Sequence, residues 1–309
     1  MENRSVERAE DTEASCRMTS GLCFFAYLDI LGFKNLVKQT STLEQLMDAV
    51  KRFVEESART IDNSRGFQSN GDNVYGRSAV PFLSVRIVSD SVCVWTEPSE
   101  DDDCLKRFDV LLQVVMRMLA YGLNNGLPLR GVVTYGELFS GKIKPPVDIP
   151  VDFLFDAYVL CGRALVEAYE LEGQMEWSGA IVTPKAWAKV EKAFKEGRHM
   201  LSWNIKSATE LFNHYPYLLW CYVPFKKGKK KAIVCNWNYR LKPAISGEKI
   251  CKAFTERCNT DDATIALKFW NTLRFYERIK QFAEPCDMES VNAMPVPDSD
   301  YASRDLLNN

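Results

Sequence analysis

Between Leu22 and Leu31 the chain reads LCFFAYLDIL, an apolar run interrupted by one acid, Asp29. This is the pattern of a strand buried on both faces, and Gly32 ends it. A lone carboxylate in such a run is costly unless it is paired or bound to a metal. The fold must cover this strand and also give Asp29 a partner.

The following segments supply the cover. Residues 42–60 read as an amphipathic helix capped by Ser41 or Thr42, with Leu43, Leu46, Met47, Val50, Phe53 and Val54 on one face. A polar loop spans 61–79. Residues 82–95, FLSVRIVSDSVCVW, read as two β-branched strands joined by a tight turn at Ser89-Asp90-Ser91. A second helix is expected over about 104–124, ending near Gly122 and Gly126, and a strand over 127–135. Pro145, Pro146 and Pro150 make 140–153 a stiff loop before a third helix at roughly 156–172. The order strand, helix, hairpin, helix, strand, helix is the ferredoxin-like, or palm, plan.

The remainder reads as a strand near 179–183, a helix near 184–195, and the hairpin YLLWCYVPF–KKGKK–KAIVCNWNY. Residues 247–283 read as helical, with Phe269, Trp270, Leu273 and Tyr276 at helical spacing. The expected fold class is α+β, with an antiparallel-rich sheet and a C-terminal helical extension. The expected division is a disordered leader at 1–20, a catalytic domain at 21–245, the helical extension at 246–284 and a flexible tail at 285–309.

The formal net charge of −2 over 309 residues opposes a bulk electrostatic grip on nucleic acid or an anionic membrane. No apolar run is long enough for a transmembrane helix, and the polar start MENRSVERAEDTEAS lacks a signal-peptide core, so a cytoplasmic protein is expected. The ten cysteines are scattered without a C-x-x-C, and there are two histidines, so neither a zinc site nor a disulfide framework is expected. Several cysteines (Cys23, Cys93, Cys221, Cys235) lie in apolar strands and read as small buried hydrophobes. Lys226, Lys227, Lys229, Lys230 and Lys231 surround Gly228 in the hairpin turn. A solvated turn is the ordinary reading, and contact with phosphates or an RNA signal is the functional one.

In a palm-type sheet the first strand lies beside the hairpin, so Asp29 and Asp90 meet at one sheet end. Two such carboxylates repel, and a divalent cation resolves the repulsion; oxygen ligands suit magnesium or manganese. Two ions about 3.5–4 Å apart would clamp the attacking and leaving oxygens of a phosphoryl displacement. Ile30-Leu31-Gly32-Phe33 offers backbone amides at a glycine turn, which cradle phosphate. Tyr27 shares a strand face with Asp29 and offers a ring to a base or to the core.

These residues carry a resemblance. AYLDILGF resembles the first metal-binding motif of class III adenylate and guanylate cyclases, and RIVSDSVCVW resembles the second. RGVVTYGELF resembles their R-x-G-x-x-x-G strand, and GRALVEAYELE resembles their helix G-x-x-V-N-x-A-x-R-M-E. YLDILGF, SDS and AxEAYxLE are closest in style to the pyrimidine cyclases of the bacterial Pycsar antiphage system. The resemblance spans about residues 22–185.

It implies that Asp29, Asp90 and the Ile30 carbonyl hold two Mg2+ or Mn2+ ions, and that the Gly32 and Phe33 amides bind triphosphate. Arg86 falls where purine cyclases carry a base-reading lysine. Val166 and Glu170 replace the transition-state asparagine and arginine, and Arg163 and Arg130 are the candidate substitutes. The implied assembly is a homodimer with sites at its interface. The implied reaction converts UTP, or alternatively CTP, to the cyclic monophosphate, read by a separate effector with a cyclic-nucleotide-binding domain. A catalytically inactive, cyclase-like nucleotide sensor is the reading from another class. A palm-type enzyme acting on nucleic acid would want a basic groove, which the near-neutral charge opposes.

Overall fold

The computed structural model describes residues 19–39, 51, 55, 83–98, 104–143, 157–197, 207–213, 215, 217–239, 245–258 and 262–280. Its strands are β1 Thr19–Ile30, β2 Leu83–Val88, β3 Ser91–Thr96, β4 Leu129–Ile143, β5 Ala157–Cys161, β6 Gly179–Val182, β7 Leu218–Phe225 and β8 Gly228–Cys235. Its helices are α1 Phe33–Gln39, α2 Cys104–Asn124, α3 Arg163–Glu172, α4 Pro184–Lys195, α5 Ala208–Asn213, α6 Gly247–Arg257 and α7 Ala263–Ile279.

One sheet runs in the order β2-β3-β1-β4-β6-β8-β7, with β5 paired to β4. Every pairing is antiparallel except β4 with β6. This is the expected α+β, palm-type arrangement, with β1 beside the β2–β3 hairpin. β1 is apolar on both sides because helices cover both faces. On one face Phe24 meets Phe108 of α2, its ring centroid 5.2 Å away, and Phe108 continues into Trp187 of α4 and Tyr215. On the other face Tyr27 meets Tyr169 of α3 edge-on at 5.8 Å. Gly131, paired with Leu28, leaves room that a β-carbon would take: it would lie 2.3 Å from Leu28 Cδ2 and 2.5 Å from the Tyr27 carbonyl oxygen.

Local signals fix the helix starts. The Thr183 hydroxyl accepts from the Ala186 amide, and Pro184 occupies the first turn of α4. Ser246 caps α6 and Asp262 caps α7 in the same way.

Several expectations change. The helix expected at 156–172 is a strand, β5, followed by α3. Gly162 separates them at φ 146°, where a β-carbon would lie 2.3 Å from the Glu137 carbonyl oxygen. β4 continues to Ile143, into the span expected as a loop, because β5 pairs with its far end. The helix expected over 247–283 is two, α6 and α7, because Asp262 caps a new start and α6 ends before it. α5 was not anticipated. The helix expected at 42–60 lies outside the described residues, except Lys51 and Glu55, which are helical and pair at 3.9 Å. The leader and tail also lie outside them, although Thr19 and Ser20 already belong to β1.

Among the described cysteines, Cys23, Cys93, Cys104, Cys235 and Cys258 are buried, Cys221 and Cys251 half-buried, and Cys161 exposed; all are free thiols. No helix among the described residues is long and apolar enough to cross a membrane.

Candidate functional site

Asp29 is the penultimate residue of β1, and its register partners are Ser91 on β3 and Arg130 on β4. Register partners project to one side of a sheet, so three polar side chains meet there. Ser91 Oγ donates to Asp29 Oδ1 at 3.4 Å, and the Tyr27 hydroxyl lies 2.6 Å from Ser91 Oγ. Arg130 Nη2 lies 3.6 Å from Asp29 Oδ2. The same guanidinium pairs through Nε with Glu172, at the end of α3, and donates through Nη1 to the Met175 carbonyl oxygen at 3.0 Å.

Asp90 occupies the two-residue turn between β2 and β3. Its carbonyl oxygen accepts from the Ile30 amide at 3.0 Å, which ties the hairpin tip to the end of β1. The turn closes because Ser89 adopts φ 58°. Gly32, at φ 79°, begins the turn into α1, and Phe33 opens that helix half-buried. The Leu31 amide donates to the Pro128 carbonyl oxygen at 2.8 Å. A β-carbon on Gly32 would lie 2.8 Å from Cys258 Sγ, so the C-terminal end of α6 backs this turn.

Burial raises the Asp29 carboxyl above the ordinary range; Arg130 opposes the shift, and the charge of Asp90 adds to it. Burial raises Glu172 too, with Arg130 again opposing and Asp29 adding. One guanidinium therefore serves two carboxylates, buried Glu172 and half-buried Asp29. Lys268 of α7, itself buried, approaches the same group. Burial lowers its ammonium first, then the charge of Arg130, while Glu176 and Glu172 oppose.

Arg86 pairs in register with Cys93, and Cys93 with Tyr27. Arg86 thus lies on the Asp29 face, two strands and two residues away, or about 12 Å by strand geometry. It is exposed, and its guanidinium carbon sits 3.5 Å from the ring centroid of Tyr158 on β5. Arg163 stands apart. It is exposed and pairs at 3.5 Å with Glu137, whose register partner is Leu22. Leu22 lies seven residues before Asp29, about 23 Å along the strand. Within one chain, then, Asp29, Asp90, Tyr27, Ile30, Gly32, Phe33 and Arg130 gather at one sheet end. Arg86 lies further along, and Arg163 lies elsewhere.

Ser91, Glu172 and Tyr158 were not picked out from the sequence. Ser91 stands beside Asp90, where period two aims it at Asp29. Glu172 is an acid in the last turn of a helix, a position the helix dipole disfavours. That misfit was its signal.

Two carboxylates from adjacent turns, one raised by burial and by its neighbour, fit a hard divalent cation with backbone carbonyl and phosphate oxygens completing the shell. Among the described residues no cluster of three or more His, Cys, Asp or Glu side chains forms a self-sufficient metal cage.

No protein-family profile and no curated protein matches the sequence. Solved structures similar to the chain include the adenylyl cyclase CyaB from P. aeruginosa, at 14% identity, covering 71% of this chain and 94% of that one with a TM-score of 0.41. The guanylate cyclase domain of RhGC from Catenaria anguillulae is similar at 11% identity, covering 71% and 97%, with a TM-score of 0.43. A bacterial light-regulated adenylyl cyclase is similar at 12% identity, covering 81% of this chain and 59% of its own, also at 0.43.

Proposed function

We propose that the chain is a nucleotide cyclase that closes a pyrimidine nucleoside triphosphate, UTP before CTP, into the 3′,5′-cyclic monophosphate as a signal in antiphage defence. The observation that carries the reading is the bond from the Ile30 amide to the Asp90 carbonyl oxygen beside the Asp29–Ser91 register. It brings two carboxylates from distant sequence to one sheet end, next to a glycine turn that can offer amides to phosphate.

Asp29, Asp90 and the Ile30 carbonyl would hold the divalent ions. Magnesium or manganese would lower the pKa of the ribose hydroxyl and balance charge on the triphosphate. The 3′-oxygen then bonds to the α-phosphorus, the bond to the pyrophosphate oxygen breaks, and the hydroxyl proton passes to solvent. Gly32 and Phe33 amides receive phosphate oxygens. Arg86, steadied by Tyr158, presents paired donors to the carbonyl edge of the base, and Tyr27 lines the floor. Arg130 supplies positive charge from below.

Around this site Val88, Val166 and Tyr169 are apolar and 63%, 55% and 61% exposed. Apolar groups exposed together on a working face support a homodimer that covers them. In such a pairing Arg163 of the second copy is the candidate to complete the site. The product would act through an effector with a cyclic-nucleotide-binding domain in the cytoplasm.

A second reading rests on α3. Val166 and Glu170 stand where the resembling enzymes carry their transition-state pair, and Arg130 is committed to Glu172, Asp29 and the Met175 carbonyl. These features favour a nucleotide-binding sensor without turnover.

Purified protein incubated with each of four labelled triphosphates and Mn2+, beside Asp29→Ala and Asp90→Ala controls, tests both. A cyclic pyrimidine product lost in both controls is expected. Manganese-dependent nucleotide binding without product would establish the sensor instead.

A further inference from the structure

Between Glu210 and Glu248 the sequence holds no acidic residue and seven cations. Set against a net charge of −2 for the whole chain, those seven leave −9 on everything else. Five of them, Lys226, Lys227, Lys229, Lys230 and Lys231, lie in the β7–β8 hairpin, and all five are exposed.

The cross-strand register sorts them. Tyr222 stands opposite Lys231, Pro224 opposite Lys229, and Trp220 opposite Ile233. Period two therefore collects Trp220, Tyr222, Lys229 and Lys231 on one face. On that face Trp220 and Tyr222 remain 38% and 40% exposed. Phe212 of α5 stacks on Trp220 from one side, with ring centroids 6.1 Å apart and planes at 29°, which holds the indole in place. Lys231 Nζ lies 5.7 Å from the centroid of the same ring. Arg278 of α7 donates to the Tyr222 carbonyl oxygen at 3.2 Å, pinning the strand and bringing another cation to it. β7 is the sheet edge opposite β2, four strand spacings from β1, or about 19 Å from the Asp29 row.

Lysines on an edge strand discourage pairing with other chains, and that role accounts for some of them. It does not account for two large aromatics left 38% and 40% exposed on the same face, Trp220 flanked by Phe212 and Lys231 and Tyr222 beside it. A lysine-only polyanion patch has no use for ring faces, whereas nucleic acid needs both: lysines for phosphates and flat rings for bases. A base can reach the Tyr222 ring from an unstacked strand and not from a duplex, whose bases present no open ring face.

We propose that the turn end of the β7–β8 hairpin binds single-stranded nucleic acid, with a base on Tyr222 beside the exposed edge of Trp220 and phosphates on Lys229, Lys231 and the turn lysines. The site is independent of the nucleotide site at Asp29 and stands whether or not that site turns over.

The test is fluorescence anisotropy of the full chain with labelled 20-mers of single-stranded RNA, single-stranded DNA and duplex, at low and moderate salt. Either single strand is expected to bind more tightly than the duplex. Tyr222→Ala is expected to weaken binding by roughly 5- to 160-fold, the range for loss of one base stack, while Tyr222→Phe retains it. Lys229→Ala with Lys231→Ala should reduce the slope of log affinity against log salt by about 1.4. Tyr222→Leu, which keeps apolar bulk without a ring, repeats the comparison if the alanine variant melts early. Absence of binding at low salt, equal binding of duplex, or binding unmoved by both Tyr222→Ala and Tyr222→Leu overturns the proposal.

Discussion

The amide of Ile30 and the carbonyl oxygen of Asp90 meet at 3.0 Å, so the end of β1 and the tip of the β2–β3 hairpin are one mechanical unit. The hairpin tip achieves this with Ser89 at φ 58°, a conformation an L-residue adopts at a cost and glycine adopts freely.

Ser89→Gly is therefore expected to raise the thermal midpoint modestly. Relief of the strained φ, on the order of 1–2 kcal/mol, is partly offset by the greater chain entropy glycine loses, about 0.5–1 kcal/mol. Ser89→Val should lower the midpoint, since a β-branched residue tolerates this region poorly. Calorimetry of the three proteins checks the order Gly above Ser above Val.

The two candidate arginines should separate cleanly. Arg130 pairs with buried Glu172 and half-buried Asp29, so Arg130→Gln leaves a buried acid uncompensated and should destabilise by about 3–5 kcal/mol. Arg163 sits in an exposed pair with Glu137, and Arg163→Ala should cost less than about 1 kcal/mol. Denaturant midpoints measure the contrast. A loss of cyclase turnover in Arg163→Ala with an unchanged midpoint would be the mark of a residue lent to a partner's site.

Asp109 of α2 gives a pH signature away from the nucleotide site. It is buried against Tyr217, whose hydroxyl donates to it, and Gln113, which donates at 2.8 Å. Burial pushes its carboxyl up to about 7, against the hydrogen bond from Gln113. The folded state thus holds a proton that the unfolded chain releases near pH 4. That proton's stabilisation is complete below the unfolded value and is lost as pH rises through about 7. The thermal midpoint should fall between about pH 4 and pH 7 and level off above it, and Asp109→Asn should flatten that fall. Equal slopes in the two proteins would contradict the assignment.

Val166 is 55% exposed on α3, so Val166→Asp should leave the fold intact. If the second copy covers α3, the variant should shift sedimentation toward monomer and lower turnover per chain at a given concentration. An unchanged sedimentation profile would place the dimer contact elsewhere.

The aspartate pair was legible in the sequence because two periodic signals converged on it. An acid broke an apolar strand, and a turn acid sat between two β-branched runs. The order of elements then fixed their neighbourhood. Glu172 and Tyr158 were harder, because their partners Arg130 and Arg86 lie far away in sequence and no local pattern announces a long-range pair. The split between β5 and α3 was hidden for another reason. Gly162 reads locally as a helix-start glycine, and only its close approach to Glu137 shows that a strand precedes it. α5 is too short to leave a periodic trace, and its role appears only when Phe212 stacks on Trp220.

The order in which the strands pair has a consequence for the life of the chain. Both aspartates have been synthesised once Ser91 is made, but the guanidinium that neutralises Asp29 lies on β4, and the carboxylate that shares it ends α3. Ribosomes add about 5–20 residues per second, so the 39 residues from Ser91 to Arg130 take roughly 2–8 s. Through that interval the most apolar strand has no central neighbour, and its one acid has no counterion. Nascent chains stalled just before β4 should therefore engage chaperones more strongly than chains released past α3.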